Sequence, residues 1–184
     1  MSQDKLPPWI VESEQSLLKT KIFEIYGVRA RSGQQADKVG DFAVAKCPNW
    51  VNVIALTDTN EVVLVEQHRH GVGEVTLEIP GGMVDAGETF LQAGLRELVE
   101  ETGFTGHDAE LIGVVTPNPA FQTNRCGTIL VRGAQRTEEM NLDPMEEIKV
   151  HTMPLAEMSQ AIRTGLIHHA LVVCAFHHLA LWDG

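Results

Sequence analysis

The chain has 184 residues, 43% of them hydrophobic and 21% charged, with a net charge of −11 at pH 7. That length fits one domain with a small appended subdomain and allows a proper core. The acidic balance argues against nucleic acid or an anionic membrane as partner, since nothing would neutralise the phosphates, and no apolar run approaches a bilayer span. A small phosphorylated substrate stays open, because a bound divalent cation inverts the local field. The opening "MSQDKLPPWIVESEQ" has neither the basic start nor the apolar stretch of a signal peptide. Three cysteines (Cys47, Cys126, Cys174) without a CxxC are expected as reduced thiols, which points to a cytoplasmic protein.

In chain order, the first fifty residues are polar and mixed, but "KTKIFEIYGVRARS" and "DFAVAKCP" alternate as strands do. "WVNVIALT", the turn "DTN" and "EVVLVEQHR" predict a hairpin. "VTLEIPGG" predicts a short strand ended by Pro80 and two glycines, followed by a loop and a helix. "AELIGVVTPNP" and "RCGTILVRGA" predict two strands joined by a proline-bearing loop, and "EEIKVHTMP" another. "PLAEMSQAIRTG" and "HHALVVCAFHHLALW" predict two closing helices. The order implies a mixed sheet flanked by helices, with a separate strand-rich extension over 1–48 and the main domain over 49–184.

The informative helix is "FLQAGLRELVEET". Thr89 and Gln92 match a capping box, and Gly103 suits the position past its end. At 100° per residue Leu91, Leu95, Leu98, Val99 and Thr102 share a face expected to pack on the sheet. Glu97 and Glu101 fall opposite, with Glu100 to one side; Ala93 and Gly94 leave room near the carboxylates. Acids at i,i+4 repel, and the carbonyl end of a helix disfavours them. Glycine inside a helix costs about 1 kcal/mol. A solvated acidic face is the plain alternative, but a divalent cation on two or three carboxylates removes both electrostatic penalties. All-oxygen ligands point to Mg²⁺ or Mn²⁺. The eight histidines show no zinc spacing, and His169 and Cys174 are expected on a buried face of the last helix.

From Gly82, five residues lead to Glu88 and seven more to "RELVEETGF". This spacing resembles the Nudix box at every fixed position. The resemblance implies an α/β/α sandwich that hydrolyses a nucleoside diphosphate linked to another group. It implies that Glu97 and Glu101 are the main metal ligands, with Glu100 and the Gly81 carbonyl assisting, while Arg96 and Glu88 orient the carboxylates. "EQHRHGVGEVTLEIPGG" further resembles the ADP-ribose pyrophosphatase branch. There Arg69 would contact the diphosphate and Glu78 the ribose or nucleotide end. Pro119 lies fifteen residues past Phe104, where that branch carries a marker proline. Arg125 is retained, but Asn124 stands where a glutamate is usual, which leaves room for other nucleoside diphosphate sugars. In this branch the extension is exchanged between the subunits of a homodimer and helps to build the base pocket. Trp9, Tyr26 and Trp50 are candidate stacking residues, with core or interface packing as the alternative. The resemblance places the general base on a late loop, at Glu146, with Glu147 and Asp143 as alternatives. The rival readings are a GDP-mannose-type hydrolase and a Nudix-like domain that binds ADP-ribose as a sensor without cutting it.

Overall fold

The computed structural model describes residues 5–182. Contacts divide the chain into two compact units, Met1–Pro48 with Thr116–Asn124, and Asn49–Val115 with Arg125–Gly184.

In the first unit, β1 (Ile10–Lys19), β2 (Glu24–Arg31) and β3 (Val39–Lys46) form an antiparallel sheet in that order. The strands β2 and β3 match the alternation of their sequences. The strand β1 has no counterpart among the predicted elements, because its polar, mixed residues show no alternation; it is exposed throughout and irregular between Val11 and Ser13 and between Ser16 and Leu18. The segment 116–124 lies along β3. Ala45 donates to the Phe121 carbonyl at 2.7 Å and accepts from the Thr123 N–H at 3.1 Å.

The second unit holds two sheets. One has the order β10–β5–β6, from Ile148–Pro154, Glu61–Arg69 and Glu74–Glu78, all antiparallel. The other has the order β7–β4–β9–β8, from Gly81–Met83, Trp50–Ala55, Cys126–Arg136 and Phe104–Val115. Its β4 and β9 run parallel, which makes the sheet mixed. The expected hairpin of β4 with β5 does not form as a ladder. The two strands meet at one bridge, Leu56 with Val62, and then diverge into separate sheets. Both long edges of β4 are taken, by β7 and β9, so β5 has no place beside it. The glycines after Pro80, expected as loop, pair with β4 as β7; a Cβ on Gly81 would strike the Val51 carbonyl.

Alternation along β4 and β9 makes two cores. Val51, Val53, Ala55, Ile129 and Val131 pack with α1 (Phe90–Thr102). Ile54 and Leu130 turn the other way, to α2 (Leu155–Arg163) and α3 (Ala170–Leu181). The result is the expected sandwich of helices about a mixed sheet. Among the described residues no helix is long and apolar enough to cross a membrane.

The helix α1 begins and ends where its caps require. Thr89 accepts from the Gln92 N–H, the Gln92 side chain returns the bond, and Gly103 closes the helix in the left-handed region at φ 71°. Its buried face overlaps the predicted one at Leu98 and Thr102, with Leu95 packed against the core, but is turned towards Gly94 and Glu101. Ala93, Gly94, Leu98, Glu101 and Thr102 are buried, whereas Leu91 is exposed. Gly94 therefore serves packing, and does not open space at the carboxylates. A Cβ there would lie 2.8 Å from Ile129 Cγ1 and 3.3 Å from Val51 and Val53. For Gly94→Ala we expect a net loss of about 1–2 kcal/mol: overpacking outweighs the gain of about 1 kcal/mol in helix propensity. Urea denaturation checks this; an unchanged midpoint would show that the helix shifts freely.

Candidate active site

The close approach that Gly94 allows carries Glu101 down to the sheet, since 94, 98 and 101 lie along one line of the helix. Glu101 is 4% exposed, and its Oε2 accepts from the Gly81 N–H at 2.9 Å. Burial drives its carboxyl up to about 8, the Gly81 bond opposes this, and the charges of Glu97 and Glu146 add to it. Glu97 is also raised, by burial first, with Glu100 and Glu146 contributing. Three acids from two segments, Glu97, Glu101 and Glu146, thus lie close enough to repel one another.

Arg96 is the local counter-ion. Its Nε and Nη2 donate to the two Glu88 oxygens, each at 2.9 Å, and its Nη1 donates to Glu97 Oε1 and Glu100 Oε2, also at 2.9 Å. A further bond from Nη2 to the Met83 carbonyl fixes the plane of the guanidinium. Arg96, with the Asp85 N–H, pulls the Glu88 carboxyl down to about 2. One oxygen of Glu97 and one of Glu100 remain outside this pairing. Gly82 makes the room, because a Cβ there would run into the Glu97 carboxylate. Glu97 is the end of a flexible side chain, so Gly82→Ala is expected to leave stability within about 1 kcal/mol. It should weaken the stabilisation by Mg²⁺ about tenfold in midpoint concentration, as supporting-residue changes at metal sites do. Melting curves against Mg²⁺ test it, and an unchanged midpoint would show that Glu97 is not a ligand.

Arg69 and Glu78 form a closed pair. Nε bonds Oε1 at 2.9 Å and Nη2 bonds Oε2 at 2.7 Å, while the Thr76 hydroxyl adds 2.7 Å to Oε1. Burial raises the Glu78 carboxyl, but the Arg69 and Thr76 bonds more than offset it and leave it below its usual range. Glu78, 2% exposed, is engaged with Arg69 and Thr76. Glu78 thus holds Arg69, whose Nη1 lies outside the pair. Arg69 feels the charges of Glu101 and Glu146, so it borders the carboxylate group.

Glu146 is exposed, on a turn where its Oε2 accepts from the Asp143 N–H at 3.1 Å. Glu147 and Asp143 are exposed beside it. Arg125 is exposed; its N–H donates to Asn49 Oδ1, and its side chain makes no ion pair among the described residues. Trp50 is half-buried at the start of β4. In the first unit, Pro119 is exposed, Trp9 packs edge-on against Phe42 at 5.2 Å, and Tyr26 lies under Lys46 Nζ at 3.8 Å. Asn124 is 2% exposed with both amide atoms unpartnered. His169, expected on a buried helix face, instead precedes α3 and feels the Glu78 and Arg69 charges. No spacing rule pointed to it.

Among the described residues no three carboxylate, histidine or cysteine side chains form a ready metal cage. Arg96 bonds Glu97 and Glu100, whereas Glu101 is bonded to the Gly81 N–H. The donor chemistry nevertheless fits a hard divalent cation: the donors are oxygens, negative charge is in surplus, and a buried carboxylate has only an amide for a partner.

A NUDIX domain model matches residues 48–174. The chain belongs to the Nudix family. A methanol dehydrogenase activator of Bacillus methanolicus is 31% identical over 141 residues, 76% of each chain. An ADP-ribose pyrophosphatase of Bacillus subtilis is 26% identical over 172 residues, 92% of this chain and 91% of that one. A crystal structure of an ADP compounds hydrolase superposes with a TM-score of 0.86 over 98% of this chain and 96% of that one. Its 18% identity makes it a likeness of fold. The Nudix box occupies β7, the following loop and α1, so the family motif and the carboxylate group are one feature.

Proposed function

We propose that this Nudix chain is a Mg²⁺-dependent hydrolase of the pyrophosphate in ADP-ribose or a related nucleoside diphosphate sugar. Water adds at phosphorus and one P–O–P bond breaks, giving a nucleoside monophosphate and a sugar phosphate. The observation that carries the reading is the buried Glu101 carboxylate, repelled by Glu97 and Glu146 and bordered by Arg69. A chain keeps an acid in so unfavourable a place where a ligand supplies the missing cation. The relative of similar length that is called ADP-ribose pyrophosphatase supports the substrate class.

Glu97 and Glu101, with Glu100 and the Gly81 carbonyl, would hold Mg²⁺ (Mn²⁺ has the same ligand chemistry). When bound, the metal neutralises phosphate oxygens and lowers the cost of bringing hydroxide-like oxygen to them. Arg96 keeps Glu97 and Glu100 in place through Glu88. Arg69, locked by Glu78, takes a diphosphate oxygen on its free edge. Glu146 takes the proton of the attacking water at a carboxylate oxygen, and its exposed loop lets it approach once substrate is seated. Arg125, Pro119 and Trp9 complete the substrate contacts, and the strand-rich first unit pairs two copies into a homodimer working in the cytoplasm.

The test is product analysis over ADP-ribose, ADP-glucose, GDP-mannose, UDP-glucose and nucleoside triphosphates, each with Mg²⁺ and with chelator. Metal-dependent cleavage led by ADP-ribose is the expected result. GDP-mannose in first place would move the chain to the rival hydrolase, and tight binding of ADP-ribose without turnover would make it a sensor.

A further inference from the structure

The sheet of β10, β5 and β6 has a second face that the hydrolysis does not use. Leu64 stands opposite His151 and Glu66 opposite Leu77 across the two ladders, so alternation puts these four side chains on one face, with Met153 and Val75. Between Val75 and Leu77 the Thr76 hydroxyl turns to the other face and bonds Glu78 there at 2.7 Å. The loop between α2 and α3 brings Leu166 to the first face, where an open cleft of about 280 Å³ results. Leu64, Leu77 and Met153 are buried or half-buried in it, while Val75 and Leu166 stand 60% and 54% exposed at its rim. His168 Nε2 lies 3.7 Å from Glu74 Oε2, which ties that loop to β6.

One polar pair stands among these apolar walls. His151 Nε2 lies 3.0 Å from Glu66 Oε2, and among the described residues Glu66 Oε1 has no bond. Lys149 stands opposite Glu66 in the ladder but makes no ion pair with it. The two side chains of the pair are partly open to solvent, 32% for His151 and 41% for Glu66, so the cleft offers an accessible carboxylate oxygen beside hydrocarbon. Ligand sites have this composition, an apolar lining with a few polar groups that fix orientation. The volume equals that of about nine waters, which suits one ring with a short substituent. An N–H edge on such a ring meets the carboxylate in charge-assisted hydrogen bonds, and the ring covers the apolar floor.

We propose that this cleft is a second ligand site, taking a small aromatic ring that carries an amidine-like cationic N–H edge bonded to Glu66. The site is independent of the functional reading above. Arg69 and Glu78 pair on the opposite face of β5 and β6, so an occupant of the cleft does not compete with a diphosphate at Arg69.

The experiment is NMR of the full chain with carbon-labelled methionine methyls, titrated with benzamidine, benzamide and benzoate. The Met153 signal is the one lost in Met153→Leu. Benzamidine should move that signal saturably with a Kd of about 1 mM, benzamide about tenfold more weakly, and benzoate not at all. Glu66→Gln should bring benzamidine down to the level of benzamide. Val75→Trp, which fills the rim at an exposed position, should weaken benzamidine about tenfold. ADP-ribose added in EDTA should leave the benzamidine shift in place. A Met153 signal that does not saturate by about 10 mM, benzoate binding as well as benzamidine, or a benzamidine affinity unchanged in Glu66→Gln overturns the proposal. Displacement by ADP-ribose also overturns it, by putting the probe among the carboxylates of α1. If Glu66→Gln does not fold, Val75→Trp decides, and an unchanged affinity there is equally fatal.

Discussion

Glu101→Gln is expected to lower turnover by at least about a hundred- to a thousandfold and, in the same preparation, to raise the melting temperature of the metal-free protein at pH 8.5. The two effects have one cause. In the folded chain the Glu101 carboxyl titrates at about 8, against an ordinary value of 4.5. Between those values the folded state keeps a proton that the unfolded chain has released. Stability is therefore greatest at and below about pH 4.5, falls as pH climbs to about 8, and is flat above that. The full shift corresponds to about 5 kcal/mol by linkage, and relaxation around the charge brings the expected loss to about 2–4 kcal/mol. Glutamine is neutral at every pH and keeps an oxygen for the Gly81 N–H, so it removes the slope. Melting curves from pH 5 to 9 in chelator compare the two proteins directly. A slope that persists in the variant would place the titration on another group. Mg²⁺ should restore the wild type at pH 8.5 and do little for the variant.

Arg69→Met should cost about 3 kcal/mol of stability, because it strands the Glu78 carboxylate, whose side chain is 3% exposed, with only Thr76 for a partner. The partial exposure of Arg69, 40% for its side chain, keeps the figure at the low end for a broken buried pair. Adding Glu78→Gln to that variant should recover most of the stability, since a neutral amide needs no cation. Substrate binding should not return, because the diphosphate still lacks its guanidinium. Urea denaturation and calorimetry on the single and double variants separate these outcomes. A double variant that regains affinity would show that Arg69 braces the strands and binds nothing.

Local rules made the helix and its caps legible: Thr89, Gln92 and Gly103 act within a few residues of themselves, and the box spacing is a one-dimensional pattern. The face that α1 buries was legible only in part. A wheel of apolar residues favours Leu91 and Val99, but Gly94 lets the backbone approach β4 and β9, and that contact turns Glu101 inward. The separation of β4 from β5 was hidden for a similar reason. A turn signal is local, whereas the occupation of both β4 edges by β7 and β9 depends on chain 30 and 75 residues away. Charge along the sequence marks which residues gather, but not their pairing. Only the structure shows that both Glu78 oxygens bond Arg69.

The alternation along β9 has a consequence for how such a chain can change over generations. Ile129 and Val131 answer to the helix that carries the carboxylates, and Leu130 between them answers to the pair of helices on the far side. Neighbouring codons thus serve different layers, and a substitution at one leaves the other layer's packing largely untouched. A lineage can alter what lies under α3 while the machinery on α1 stays as it is. Inserting or deleting one codon in β9 would instead exchange the two sets of side chains across the sheet and spoil both layers together. The length of this strand is held more tightly than its spelling.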